Sequence, residues 1–291
     1  MKKMPLTARL CFIMTAAFTL SIAIFRTVAM FVFYDEEVGY FAPGVATVLT
    51  ILPICFVVAC IVLSIATPKN ILPTVWPEGK RNVAWVPAVL FAGCGLWELI
   101  LGLTTRPLDK TVIILALLAL LSSFYYIAVL IRLNPAITSL FGFAPVFWGI
   151  VAMLNTYTDQ NTTMNSPVKL ALQFGFLGIM LATLAELRYR YNKPTPRASL
   201  CFHCFAVFFG LTGSIPTLVF LIPSLPHPQN APANAYMHSA YVLALLGVGI
   251  YAAVRLYVYF TIVPADAATT DNTLDTSTDI PDHTETERGA P

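Results

Sequence analysis

Charged residues are scarce in this chain of 291 residues. Only 11% of its residues are Asp, Glu, Lys or Arg, against about 25% in an ordinary water-soluble domain. Hydrophobic residues make up 57% of the chain, and its mean hydropathy is +0.75. A water-soluble fold of this length could not bury so much apolar surface, whereas lipid can solvate an apolar outer face. The composition therefore predicts an integral membrane protein whose main partner is the lipid bilayer.

Catalytic and cofactor motifs are also missing from the sequence. It contains no His-Glu-x-x-His, no Gly-x-Ser-x-Gly and no Walker-type glycine-rich loop. The polar connectors between the apolar segments are too short to hold a catalytic domain. The sequence therefore indicates neither an enzyme nor a bound cofactor, and we expect no nucleic-acid partner.

Cysteines suited to a disulfide framework are missing as well, because all six lie in apolar segments. They are Cys11, Cys55, Cys60, Cys94, Cys201 and Cys204. We expect them to be reduced packing residues. Cys201 and Cys204 share a helix face while His203 points elsewhere. A metal site there would need ligands from another helix, so no metal site is predicted.

Long apolar runs are what the chain does have. A bilayer span needs about 20 mainly apolar residues. Eight segments qualify: 8–33, 44–66, 84–104, 111–131, 135–153, 167–187, 198–222 and 236–260. They predict an all-α, polytopic membrane helix bundle over residues 1–264.

The distribution of Lys and Arg predicts the orientation of these spans, because basic residues stay on the cytoplasmic side. With the N-terminus inside, the inner set is Lys2, Lys3, Arg9, Lys69, Lys80, Arg81, Arg132, Arg188, Arg190, Lys193, Arg197 and Arg255. The outer set is only Arg106, Lys110 and Lys169. We therefore expect a cell-membrane protein with both termini in the cytoplasm.

The last segment, 265–291, differs from the rest in composition. It carries seven acidic residues and one basic residue, and it has no aromatic side chain. Such a segment cannot bury enough apolar surface to offset the entropy of ordering it. We expect a disordered, acidic cytoplasmic tail.

A weak internal similarity relates the two halves of the chain. The Val-Ala-Met of residues 28–30 recurs at 151–153, and at the same shift Tyr34 falls on Tyr157. Two parallel four-helix halves related by an axis along the membrane normal would fit this pattern, and transporters contain such repeats. Chance similarity between apolar segments is the alternative.

Ionisable residues inside the spans are few and mark candidate sites, since a charge in lipid is costly. Arg26 and Glu98 both lie roughly 10–12 Å below the outer surface at 1.5 Å per residue. Glu98 is a candidate for binding a cation or proton, with Arg26 tuning it. The alternatives are a structural ion pair and an Arg26 side chain that snorkels toward the acidic outer loop. Glu186, beside Arg188 and Arg190, is expected to form an interfacial pair.

Two spans contain residues that loosen a helix. The third span carries Gly93 and Gly95 shortly before Glu98. The seventh span carries Gly210, Gly213, Ser214 and Pro216. A proline removes one backbone donor, and broken helices often line transporter sites. These residues predict a site between the third and seventh spans, with close packing of small residues as the alternative.

Two functions remain open at this point. The first is permease-like transport of a small solute or ion through a site formed by Arg26, Glu98 and the helix breaks. The second is a non-transporting subunit or sensor that binds a membrane-protein partner through apolar faces or the acidic tail. An enzyme would require three or more convergent titratable residues in a polar cavity.

Overall fold

The protein is almost entirely helical. The computed structural model describes residues 6–35, 40–69, 72, 80–104, 109–158, 167–220 and 239–261. Within these residues the helices are α1 (Leu6–Val32), α2 (Pro43–Ala66), α3 (Trp85–Thr104), α4 (Lys110–Ile131), α5 (Pro135–Phe141), α6 (Phe143–Thr158), α7 (Pro167–Arg190), α8 (Pro196–Phe220) and α9 (Ser239–Thr261). A 3-10 turn, Arg81–Ala84, leads into α3. Between α1 and α2, strands β1 (Tyr34–Asp35) and β2 (Tyr40–Phe41) pair antiparallel.

The predicted number of spans is confirmed. Eight helical segments of the described chain are long and apolar enough to cross a bilayer, and their ends agree with the predicted ends to within five residues. The all-α membrane bundle is thus the observed fold. The segment 265–291 lies outside the described residues.

The fifth span differs from its prediction, because it consists of two helices. α5 and α6 meet at Gly142, whose N–H caps the carbonyl of Thr138 at 3.0 Å. Pro145 stands in the first turn of α6 and has no N–H for the residue four positions earlier, so the helix restarts here. A side chain at Gly142 would collide with Leu187 on α7. The break therefore lets the span pass close to α7.

α8 is the central helix of the bundle. It packs against α1, α2, α7 and α9, while α9 also packs against α3. In the most apolar part of α8, 72% of the residues are buried, against 17% in α2. α2 therefore lies at the periphery of the bundle and presents most of its surface to lipid.

The helix contacts match the proposed repeat only in part. The α1–α2 and α6–α7 contacts correspond, as do the α3–α4 and α8–α9 contacts. The extensive α7–α8 interface, however, has no comparable counterpart between α2 and α3 in the described chain. α9 also lies between α3 and α8, which share no substantial interface. In the described chain, α9 therefore separates the two spans between which the site was predicted.

Candidate functional site

A cavity of about 350 Å³ opens between α1, α2, α7 and α8. Its walls are mostly apolar and include Pro53, Val57, Phe174 and Phe209. Most of the lining residues lie between the middle of these helices and the ends near the α1–α2 connection. Sites for small molecules in proteins are typically about 300–1,000 Å³ and mainly apolar with a few polar groups, and this cavity fits that description.

Arg26 on α1 supplies the only charged side chain among the described residues that line the cavity. Its side chain is 5% exposed. Nη1 donates to the carbonyl oxygen of Thr212 over a long 3.4 Å, while Nε and Nη2 have no hydrogen-bond partner among the described residues. An unpaired charge in apolar surroundings is costly. A bound anion would compensate this charge.

Pro216 explains why the Thr212 carbonyl is available to Arg26. In an α-helix the N–H of residue 216 would donate to the carbonyl of residue 212, and proline has no N–H. The Thr212 hydroxyl is occupied elsewhere, since it donates to Phe208 O at 2.7 Å. The carbonyl oxygen therefore accepts from a neighbouring helix.

The helix breaks expected in the third and seventh spans are not observed. α8 runs without interruption through Pro216 from Pro196 to Phe220, and α3 is continuous through Gly93 and Gly95. Packing against neighbouring helices keeps these helices regular. The N–H that is missing at Pro216 therefore leaves one carbonyl in α8 without its helical donor, but it does not break the helix.

Gly210 of α8 serves close packing, whereas Gly213 has room for a Cβ. A Cβ at Gly210 would lie 2.9 Å from Leu245 O on α9, and a Cβ at Gly213 would lie 3.6 Å from Ala171 O on α7. The buried Ser214 hydroxyl donates to Gly210 O at 2.6 Å. Of the predicted site residues in the described chain, only Arg26 lines the cavity.

Glu98 lies apart from Arg26, and the two side chains do not pair. The Glu98 side chain is 2% exposed, and neither carboxyl oxygen has a hydrogen-bond partner among the described residues. Cys94 on its own helix and Tyr241 on α9 are its electrostatic neighbours. Arg26 faces α8 instead, so the two predicted charges occupy separate sites.

A second polar centre surrounds Glu186 on α7, which is 4% exposed. Its Oε2 accepts hydrogen bonds from Tyr125 at 3.0 Å and from Tyr251 at 3.2 Å. Its Oε1 lies 3.5 Å from Nε2 of His203. The expectation that Glu186 forms an interfacial pair is therefore corrected. Glu186 is a core residue that connects α4, α7, α8 and α9. Arg188 is exposed on the opposite face of α7.

The hydrogen bonds of His203 define where one proton sits. Nδ1 lies 2.8 Å from the carbonyl oxygen of Ser199, and a carbonyl can only accept, so Nδ1 carries a proton. Nε2 faces the Glu186 carboxyl. Arg190 and Arg255 act on the same carboxyl electrostatically.

The space beside this Glu186 cluster is small. A cavity of about 10 Å³ lies between Tyr126, Thr183, Glu186, His203 and Tyr251. Such a volume holds about one water molecule. The Glu186 cluster therefore has no room for an organic substrate.

One group of side chains in the described chain could hold a metal ion. The thiols of Cys11, Cys60 and Cys204 lie within 4.8 Å of one another and are all buried. They belong to α1, α2 and α8. A metal site at Cys204 would need ligands from other helices, and Cys11 and Cys60 are such residues.

Comparison of the chain with protein-family models, with curated proteins and with solved structures finds no match. Function therefore has to be inferred from the side chains and cavities of the molecule itself.

Proposed function

We propose that this multi-pass membrane protein is a permease-like transporter of small organic anions that carry an apolar body. The anion binds in the cavity between α1, α2, α7 and α8, with its charge on Arg26. The observation that carries this proposal is the buried, largely unpartnered guanidinium in the wall of a mostly apolar cavity of about 350 Å³.

The charge of the ligand follows from the chemistry of arginine. A guanidinium has five N–H donors, stays charged, and binds carboxylate-like groups through two parallel hydrogen bonds. Arg26 uses one donor, on Thr212, over 3.4 Å. Nε and Nη2, the two nitrogens on the side of the fork that usually binds an oxyanion, have no hydrogen-bond partner in the described chain.

The apolar part of the ligand follows from the remaining walls. Leu170, Phe174 and Phe209 line one side of the cavity, and Pro53 and Val57 line another. Burying apolar surface contributes about 25 cal/mol per Å². An anion with a short hydrocarbon body would bury apolar surface and also neutralise the charge of Arg26. A small hydrated inorganic anion would only neutralise that charge.

Glu98 provides a separate place for a proton or a cation. Its carboxyl is buried without a hydrogen-bond partner in the described chain, and an unpaired carboxylate in such surroundings is costly. Uptake of a proton or a cation at Glu98 together with an anion at Arg26 would keep the occupied bundle electrically balanced. We therefore propose coupled movement of the two charges.

The orientation of the bundle is part of the same proposal. Lys and Arg concentrate on one side of the eight spans, which supports cytoplasmic termini in a cell membrane. The Arg26 cavity then lies toward the outer surface, and the Glu186 cluster lies toward the cytoplasm.

Flux of alkyl sulfonates into liposomes tests the proposal. These anions imitate alkyl carboxylates but do not cross lipid as neutral acids, so only protein-mediated flux is recorded. We expect the wild-type protein to carry short-chain alkyl sulfonates. Arg26→Gln should lose the flux, whereas Arg9→Gln, an exposed position on the same helix, should keep it. Glu98→Gln should retain binding and lose the dependence on an imposed pH gradient.

Two results would contradict the proposal. Equal flux in wild type and Arg26→Gln removes the cavity from the mechanism. Saturable binding of the sulfonates without any flux overturns transport and favours the alternative, a non-transporting sensor.

A further inference from the structure

We propose that Cys11, Cys60 and Cys204 form a binding site for a soft, thiophilic metal ion, Zn²⁺ or Cu⁺. Their three sulfur atoms lie within 4.8 Å of one another. Each side chain is fully buried, at 0% exposure. This site is independent of the proposed anion transport, because Arg26 stands 15 positions after Cys11 on α1, about 22 Å along the helix.

The spacing of the sulfurs suits a metal with thiolate ligands. A Zn–S bond of about 2.3 Å places the sulfurs of a tetrahedral site about 3.8 Å apart. The observed separations of at most 4.8 Å exceed that value by about 1 Å or less, which small rotations of the three side chains about χ1 can close. No movement of α1, α2 or α8 is required.

A fourth thiol is within reach. Cys201 stands three positions before Cys204 on α8, so the two thiols share one face of that helix. Cys201 is also buried, at 7% exposure. Three thiolates suffice for Cu⁺, and the addition of Cys201 completes the four-sulfur set that structural Zn²⁺ sites use.

The surroundings favour a soft ion over a hard one. The ligating atoms are all sulfur, and thiolates select Zn²⁺ and Cu⁺ over Mg²⁺, Ca²⁺ and Mn²⁺, which prefer oxygen. The Ser64 hydroxyl lies 4.0 Å from the Cys11 sulfur and can donate to a thiolate. His203 faces Glu186 and is not part of the site.

The cluster lies near one end of the bundle. Cys11 is five positions after the start of α1, and Cys60 is six positions before the end of α2. At 1.5 Å per residue the sulfurs lie about 8–9 Å from the helix ends. Each coordinating thiol releases its proton to water as it binds the ion.

Metal content of the purified full-length protein tests the site. The protein is kept reduced, incubated with Zn²⁺ or Cu⁺, desalted, and analysed for metal per chain by elemental mass spectrometry. We expect about one ion per wild-type chain, and a tenfold or greater loss in Cys11→Ser, Cys60→Ser and Cys204→Ser. Cys55→Ser on the lipid-exposed face of α2, and Cys94→Ser in the core of α3, should bind as wild type does.

A second measurement distinguishes metal binding from misfolding. Cd²⁺ added to wild type should produce the ultraviolet thiolate-to-metal charge-transfer band, together with about one released proton per coordinating thiol in weak buffer. Cys201→Ser keeps the three principal ligands, so it should keep Cu⁺ and bind Zn²⁺ at least tenfold more weakly.

Three results would overturn the site. The first is equal metal content in wild type and in all three serine variants of the principal ligands. The second is reduced, monodisperse wild type that retains neither ion. The third is a disulfide between two of these three cysteines, found by peptide mapping of protein purified without added oxidant, because a disulfide sulfur is not a thiolate ligand.

Discussion

Arg26 on α1 donates a hydrogen bond of 3.4 Å to the carbonyl oxygen of Thr212 on α8. Pro216, four positions further along α8, has no N–H with which to satisfy that oxygen. The proline and the arginine are thus connected through one backbone acceptor. Both are conspicuous in the sequence, yet their relationship is visible only once α1 and α8 are packed together.

Replacing Pro216 tests this connection. Pro216→Ala supplies the missing N–H, so α8 should gain stability, and a proline inside a helix costs up to about 3 kcal/mol. The new N–H shares the carbonyl oxygen that Arg26 uses, which weakens the contact of Arg26 with it. We therefore expect a higher unfolding temperature in detergent and about fivefold weaker binding of alkyl sulfonates, equivalent to a lost hydrogen bond of about 1 kcal/mol.

Pro145 in the first turn of α6, which does not line the cavity, is the control for Pro216. Pro145→Ala also adds a backbone N–H, but it leaves the contact between Arg26 and Thr212 intact. The connection is disproved if both variants change sulfonate binding to the same extent.

Arg26→Met should separate binding from stability. Methionine fills a similar volume and removes a buried charge that has one long hydrogen bond in the described chain. Replacing a poorly compensated buried charge with an apolar group is often stabilising by about 1–4 kcal/mol. Thermal unfolding should show a more stable protein without ligand and no further stabilisation by sulfonates. A destabilised variant would mean that Arg26 is a structural residue.

The sequence predicted the spans well, because composition and length decide whether a helix crosses a bilayer. It also placed Arg26 and Glu98 inside spans, and both side chains are buried. It missed the partners of these residues. Cys11, Cys60 and Cys204 are far apart in the chain, and no local pattern shows that α1, α2 and α8 meet.

Glu186 shows why local context misleads. Arg188 and Arg190 follow it closely, which resembles a charged helix end at the interface. Residues four positions apart share a helix face and residues two positions apart do not, so Arg190 accompanies Glu186 inward while Arg188 points outward. Only the packing of α4, α8 and α9 around α7 determines which face becomes the core.

Gly210 and Gly213 should respond differently to the same substitution. A Cβ at Gly210 would lie 2.9 Å from Leu245 O and 3.1 Å from the Gly249 Cα, both backbone atoms, whereas the nearest atom to one at Gly213 is 3.6 Å away. Gly210→Ala should therefore lower the free energy of unfolding by about 1–3 kcal/mol. Gly213→Ala should leave it nearly unchanged. Equal thermal stability of the two variants would rule out a tight α8–α9 contact at Gly210.

An even number of spans would place both chain termini on the same side of the membrane, and the basic residues predict that this side is the cytoplasm. Reporter fusions at each terminus and in the α2–α3 connection should therefore report a cytoplasmic location. A fusion in the α1–α2 connection should report the opposite side. A terminus found outside would invert the depths assigned to the Arg26 cavity and to the thiol cluster.

Glu186→Gln and Glu98→Gln form a matched pair of buried substitutions with opposite expectations. Glu186 contacts two tyrosines and His203, and it balances Arg190 and Arg255. Removing its charge leaves buried cations uncompensated, so we expect a loss of about 3–5 kcal/mol in stability. Glu98 has no hydrogen-bond partner in the described chain, so Glu98→Gln should be neutral or slightly stabilising. Thermal unfolding of the two variants under the same conditions tests both expectations. Comparable losses of stability in both variants would mean that Glu98 has a partner essential to the fold.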